Sequence, residues 1–304
     1  MMRYISAALL VLISFLVGAL FHKFKPFPYT ELYGYYRSVN INDEKQMKKY
    51  DLYSAEEVKK ISFNLEKTQK NFKEVREYLI KRVLNEDTVV NTIIYNDKNK
   101  IIFSRNYGVL TKNILTKPNN KKSECLNIYI HGHDESPFKF DYYKSFLRTS
   151  IKLQCDTLTM SPVAFGLNEG ESSFPGYKYY IKLNKKESQN HFFYSYYNGN
   201  LDPLSLFLSN HYYVINNISG QYSRISITGI SGGGWYATWL SALLPQIDLS
   251  IIYAGSMPIK YHYSNISGDF PVGDWEQTGS KIYNEYDYWD LFKLSMLDNS
   301  GKNI

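Results

Sequence analysis

Apolar positions divide the chain into three stretches with different periods. Tyr4 to Phe21 is an uncharged apolar run of 18 residues, preceded by Arg3 and followed by His22, Lys23 and Lys25. Its length fits a short membrane span or the core of a signal peptide, and Val17-Gly18-Ala19 supplies small residues for cleavage after Ala19. Positive charge is similar on both flanks, so it sets no orientation. Residues 1–23 are expected to be a signal peptide or membrane anchor. Either way the rest of the chain is exported, to remain membrane-anchored or to become periplasmic or extracellular.

Residues 24–87 are expected to be a linker and an amphipathic helical region. Phe24 to Tyr36 is rich in proline and aromatics without a period. Ser54 and Glu57 form a capping box, each side chain placed to satisfy an exposed N–H of the first turn. Val58, Ile61, Leu65, Phe72, Val75, Leu79 and Val83 then recur near a 3.6 period, which predicts a helix, whole or broken in two, packed on the domain C-terminal to it.

From residue 88 onward the pattern changes. Val89 to Tyr95 and Ile101 to Tyr107 are β-rich around Asn96–Asn99 and predict a hairpin. Strands are expected at Cys125–Ile130, Thr157–Met160, Arg224–Thr228 and Ile247–Ala254, and helices at Tyr142–Leu153, Pro203–Ile218, Gly233–Leu244 and Tyr286–Met296. Alternating strands and helices predict an α/β domain over 88–304, a mostly parallel sheet with helices on both faces. Phe165 to Asn200 has no strong period and many Tyr, Phe, Gly and Asn. It reads as a long loop, a lid or pocket wall.

Composition narrows the function. Of 304 residues 44% are hydrophobic, enough for a sizeable core. The net charge of +6 is spread in short runs such as Lys121-Lys122 and Lys185-Lys186, with no basic stripe, so nucleic acid is not an expected partner. Cys125 and Cys155 each open an expected strand. They read as core thiols, although adjacent strands could bring them together. Asn217 and Asn265 head N-x-S sequons that matter only in a glycosylating host.

The chemistry centres on Gly229-Ile-Ser231-Gly-Gly233. A β-branched strand runs into this Gly-x-Ser-x-Gly, and a helix with Trp235, Trp239, Leu240, Leu243 and Leu244 runs out of it. That is the strand–turn–helix setting of a nucleophile elbow. Such a turn strains the serine backbone, and a side chain at Gly229 or Gly233 would collide with its neighbours. It lifts the Ser231 hydroxyl to a helix N-terminus, where the Gly232 N–H and the helix dipole can stabilise an oxyanion. A plain glycine-rich turn would need only the glycines. A phosphate loop would need a following Gly-Lys-Ser/Thr, which is missing. Gly232-x-Gly234-x-x-Ala237 fits the loose dinucleotide fingerprint, but no acidic residue ends the next strand.

With these motifs, and with Met160–Asn168, Ala254–Pro258 and Gly273–Gln277, the chain from about residue 89 resembles the α/β-hydrolases, more narrowly the bacterial exported members. In that superfamily a His-Gly turn follows the third strand. The resemblance therefore implies that His131-Gly132-His133-Asp134 supplies a second oxyanion N–H, from His133 or Asp134. His131 is expected to be structural, its ring bonded to a nearby loop. A metal reading of His131, His133 and Asp134 needs a third ligand from far away. No metal and no cofactor is expected.

The resemblance also implies the triad order Ser, acid, His. Ile247–Ala254 would be the sixth strand, and no seventh or eighth is legible in the 50 residues after it, so the domain is expected to be C-terminally incomplete. His262 is the one histidine after Ser231: as the candidate base, with Asp269 or Asp274 to orient it, it would reverse that order, and the other reading is a solvated loop residue. Asp274 and Glu276, two apart in an expected loop, are read as structural, capping the next helix. The expected function is a serine hydrolase of carboxylic esters, esterase- or lipase-like, acting on a small-molecule or lipid ester. If residues 4–21 stay uncleaved, the membrane is a further partner. The alternative is a truncated or degenerate relative that binds a ligand or partner without efficient turnover.

Overall fold

The computed structural model describes residues 65–84, 92–96, 101–107, 109–118, 123–133, 136–168, 172–175, 180–183, 202–258, 274–278 and 280–296. They belong to one compact unit, Phe63–Tyr263 with Pro271–Ile304. The apolar run at 4–21, the capping box at Ser54 and the candidate base His262 lie outside the described residues. Among the described residues no helix is long and apolar enough to cross a membrane.

The strands are β1 (Thr92–Asn96), β2 (Ile101–Asn106), β3 (Val109–Thr116), β4 (Cys125–Ile130), β5 (Asp156–Met160), β6 (Ser172–Pro175), β7 (Tyr180–Leu183), β8 (Arg224–Ile230) and β9 (Leu249–Tyr253). The helices are α1 (Leu65–Leu84), α2 (Asp141–Lys152), α3 (Ser205–Ser219), α4 (Gly232–Leu243), α5 (Trp275–Thr278) and α6 (Tyr288–Ser295). Seven strands form one sheet in the order β1-β2-β3-β5-β4-β8-β9, and β6 and β7 pair as a separate hairpin. β5, β4, β8 and β9 are mutually parallel, while β1, β2 and β3 join them through antiparallel pairings. The fold is thus the expected α/β arrangement with a mostly parallel sheet.

Period-2 alternation places the layers. On β4 the side chains of Leu126, Ile128 and Ile130 join the main core with those of α3 and α4. Asn127 and Tyr129 point the other way. The Asn127 amide donates to Ser150 Oγ on α2, and Tyr129 packs on Tyr143 and Phe146 of the same helix. Helices therefore cover both faces, which is why β4 is buried along nearly its whole length.

The amphipathic reading of α1 holds where it is described: Leu79 and Val83 are buried, and Phe72 and Val75 pack against the core. The same helix buries Arg76, whose guanidinium donates to Ala242 O and Leu294 O. It thereby satisfies carbonyls at the C-terminal ends of α4 and α6, where a cation also opposes the helix dipoles. No apolar period marks such a residue.

Two expectations are corrected. Cys125 and Cys155 are not free thiols but a disulfide, because β4 and β5 are neighbours and the two residues enter them side by side. The bond closes a loop of 30 residues, which removes about 3 to 4 kcal/mol of unfolded-state freedom. Reduction, or Cys155→Ala, is expected to lower the urea midpoint accordingly; an unchanged midpoint would mean that the pair contributes nothing. The second correction is β3, which has no counterpart in the expected strands. Its inward positions include Thr111 and Asn113, both buried and polar, so the strand shows no apolar alternation.

Candidate functional site

Ser231 stands between β8 and α4, exposed, with φ 54° and ψ −126°. A left-handed φ of this kind is unfavourable for a residue with a β-carbon and persists only where the surroundings impose it. Here they do. The Ser231 N–H donates to Tyr253 O on β9 at 2.8 Å, and its carbonyl accepts from Gly234 and Trp235 as α4 begins. The turn is also closed by contact. A β-carbon on Gly229 would meet the Gly233 carbonyl, and one on Gly233 would meet the backbone of Ile130 and His131. Both collisions expected from the sequence are therefore present. Gly233→Ala would drive a methyl group into β4 itself, which cannot shift without breaking the sheet. It is expected to destabilise the domain by at least about 3 kcal/mol, read as a loss of cooperative unfolding or a lowered urea midpoint.

The loop after β4 lies against this turn. A methyl group on Gly132 would stand 3.0 Å from Ser231 Cβ and 3.5 Å from Ser231 Oγ. His131 is buried with its ring nitrogen Nε2 2.7 Å from Ser161 Oγ, the structural bond to a neighbouring loop expected of it. His211, which the sequence did not single out, is buried as well. Its Nε2–H donates to Ser161 O at 2.9 Å, and its ring lies on Tyr236. Burial lowers both imidazoles to about 4 and keeps them neutral.

His133 is arranged differently. Its ring stacks on Phe165, with centroids 4.5 Å apart, and occupies the space where a Gly232 side chain would be. Asp274 Oδ2 lies 2.7 Å from Nδ1, and Glu276 Oε1 lies 3.5 Å from Nε2. Asp274 stands directly before α5, where its carbonyl accepts from Gln277 N–H, and its side chain and that of Glu276, inside the helix, converge on one imidazole from its two edges. The metal reading of His131 with His133 fails, since the His131 ring is committed to Ser161 and the distant partners of His133 are the two carboxylates. Asp134 and Asp269 lie outside the described residues.

Sheet order, elbow and β4 loop now stand together. Reading β2 as the first strand, the sheet runs first, second, fourth, third, fifth, sixth, with the second antiparallel and the serine turn after the fifth. The fold is that of an α/β-hydrolase.

No family model matches the chain, and no curated protein does. Among solved structures it is similar to Est1E from Butyrivibrio proteoclasticus with ferulic acid bound, at 16% identity and a TM-score of 0.42, over 62% of this chain and 72% of that one. It is also similar to acetyl xylan esterase 1 from Thermoanaerobacterium sp. JW/SL YS485, at 14% identity and a TM-score of 0.37, over 62% of each chain. A third likeness is to the Pyrococcus furiosus esterase Pf2001, at 14% identity and a TM-score of 0.34, over 67% of this chain and 66% of that one. In another Est1E structure the match spans about half, 49%, of that chain. What identifies the fold is strand order together with the elbow.

Proposed function

We propose that the chain is a serine hydrolase of carboxylic esters with Ser231 as nucleophile. The observation that carries this reading is the backbone of Ser231: a strained, exposed serine held at φ 54° where a parallel strand turns into a helix. Glycine would adopt this backbone with less strain, whereas acyl transfer requires a serine raised above the sheet. In the reaction Ser231 Oγ adds to the ester carbonyl and its proton passes to a base. The Gly232 and His133 backbone N–H groups hold the oxyanion, helped by the α4 dipole. The alcohol leaves with a proton, and water then releases the acid from the acyl-enzyme. The candidate base remains His262.

The disulfide supports a second element of the reading. Persistent disulfides belong to oxidising compartments, so Cys125–Cys155 favours a domain exported behind residues 1–23 as leader or anchor.

The test is hydrolysis of short p-nitrophenyl esters by the purified chain, together with covalent labelling by a fluorophosphonate. Turnover and labelling at Ser231 are expected. A folded protein with neither would replace this reading by the alternative, a hydrolase-like binding module without efficient turnover.

A further inference from the structure

We propose that Asp274 and Glu276 are positioning residues for ester hydrolysis: by holding the His133 imidazole they keep the backbone N–H groups of His133 and Gly232 aimed at the oxyanion. This role rests on the reading of Ser231 as nucleophile and adds to it how the oxyanion site keeps its shape. The need arises from where the donors sit. Gly232 opens α4, but His133 lies in the loop after β4, and a loop holds an N–H less firmly than a helix or strand does.

The His133 side chain bears on both donors. It is joined to one of them through its own Cβ. Its ring leans on the other, since a β-carbon on Gly232 would stand 2.5 Å from Nε2 and 2.8 Å from Cδ2 and Cε1. A displaced imidazole would therefore shift the two N–H groups relative to each other. Three side chains from outside the β4 loop restrain it. Phe165 stacks on its face, with centroids 4.5 Å apart. Asp274 Oδ2 accepts the Nδ1–H at 2.7 Å, the short distance of a charge-assisted bond. Glu276 Oε1 stands 3.5 Å from Nε2 at the opposite edge. The stacked ring limits tilt, and the two carboxylates limit rotation in the ring plane.

The carboxylates are themselves anchored to the elbow helix. Tyr283 OH donates to Glu276 O at 2.7 Å and Tyr288 OH to Gln277 O at 2.9 Å. Both phenols in turn accept from Trp235 Nε1 on α4, and Tyr283 accepts from Trp239 Nε1 as well. Burial raises both phenols far above their ordinary range, so they remain neutral donors. The contacts close a circuit that starts and ends at Gly232: along α4 to the tryptophans, through the tyrosines to α5, and from its carboxylates through the His133 ring back to the elbow. Reacting groups need placement to within about 0.5 Å, and a frame of this kind supplies it.

The test is steady-state hydrolysis of a short p-nitrophenyl ester by the full-length chain, by Asp274→Ala and by Asp274→Asn, with inhibition by a short alkyl boronic acid as a second readout. The boronate forms a tetrahedral adduct on the serine and so reports the oxyanion site. Asp274→Ala is expected to lower kcat by about 10- to 100-fold with KM changed less than about 2-fold, because the oxyanion exists only after the carbonyl is attacked. Boronate affinity should fall by a similar factor. Asp274→Asn keeps an acceptor for the Nδ1–H and should recover most of both. A merely structural role would lower the thermal midpoint and leave kcat of the folded protein and boronate affinity as they were. That result overturns the proposal, as does a loss of kcat without a loss of boronate affinity. Should Asp274→Ala not fold, Asp274→Glu, which displaces the carboxylate by one methylene, is expected to show the same split and decides in its place. A wild type that hydrolyses ester and is labelled at Ser231, with kcat unchanged by the substitution, keeps the hydrolase reading and removes only the positioning role. A wild type that does neither removes both.

Discussion

Replacing Ser231 with alanine is expected to reduce ester hydrolysis at least about 1,000-fold and to leave the folded domain intact. The size comes from the chemistry: without the nucleophile, only binding and oxyanion stabilisation remain, and the covalent route is closed. Alanine keeps a β-carbon at φ 54°, so the backbone strain is unchanged and the thermal midpoint should move little. Ser231→Gly separates strain from chemistry. It is equally inactive, yet glycine adopts this φ freely, and a gain of about 1 kcal/mol is expected after allowing for its greater unfolded-state freedom. Kinetics and urea unfolding on the three proteins check both halves. Equal hydrolysis by wild type and Ser231→Ala would remove the serine from the mechanism, and a less stable Ser231→Gly would remove the strain.

The second large effect is on stability in acid. His131 and His211 meet at Ser161, one ring on its hydroxyl and the other on its carbonyl. Desolvation is the chief cause that lowers each imidazole to about 4, and for His131 the nearby His133 contributes in the same direction. In the unfolded chain each returns to about 6.5. The unfolded state therefore binds more protons between these values. The stabilising contribution is complete above pH 6.5 and is lost as pH falls toward 4. By pH 4.5 each histidine should withdraw about 2.5 kcal/mol, and the pair about 5, an amount comparable to the whole stability of many domains. Urea unfolding from pH 7.5 to 4.5 should show that decline, with a shallower one in His211→Gln. A flat profile in the wild type would mean that neither ring is held neutral by burial.

Much of the fold can be read along the chain because its signals are local. The apolar run of β4 arises from burial on both faces, and the elbow's Gly229 arises from a contact within its own strand–turn–helix unit, with Gly233 and Ala237. Sequence reading therefore places β4 at Cys125–Ile130, as observed, and ends the predicted strand before the elbow at Thr228, where the structure continues it to Ile230. Signals that depend on distant partners are silent. β3 hides its inward face behind Thr111 and Asn113, and the Asn113 amide donates to Ile102 O across the sheet. Arg76 has the character of a surface residue until two helix C-termini converge on it.

The site divides along the same line. Ser231, Gly232 and the His131-Gly132-His133 turn are sequence statements, because each needs only its own strand and loop. The company that His133 keeps is a tertiary statement. Asp274 and Glu276 lie about 140 residues further on, and they reach the imidazole only because the Trp235, Trp239, Tyr283 and Tyr288 network holds their backbone on α4. The pairing of Cys125 with Cys155 was decided the same way, by the side-by-side entry of β4 and β5. Local periodicity and turn chemistry determined which elements form and where the serine stands. Which side chains meet across the elbow was decided by packing, since a contact between remote residues has no period to betray it.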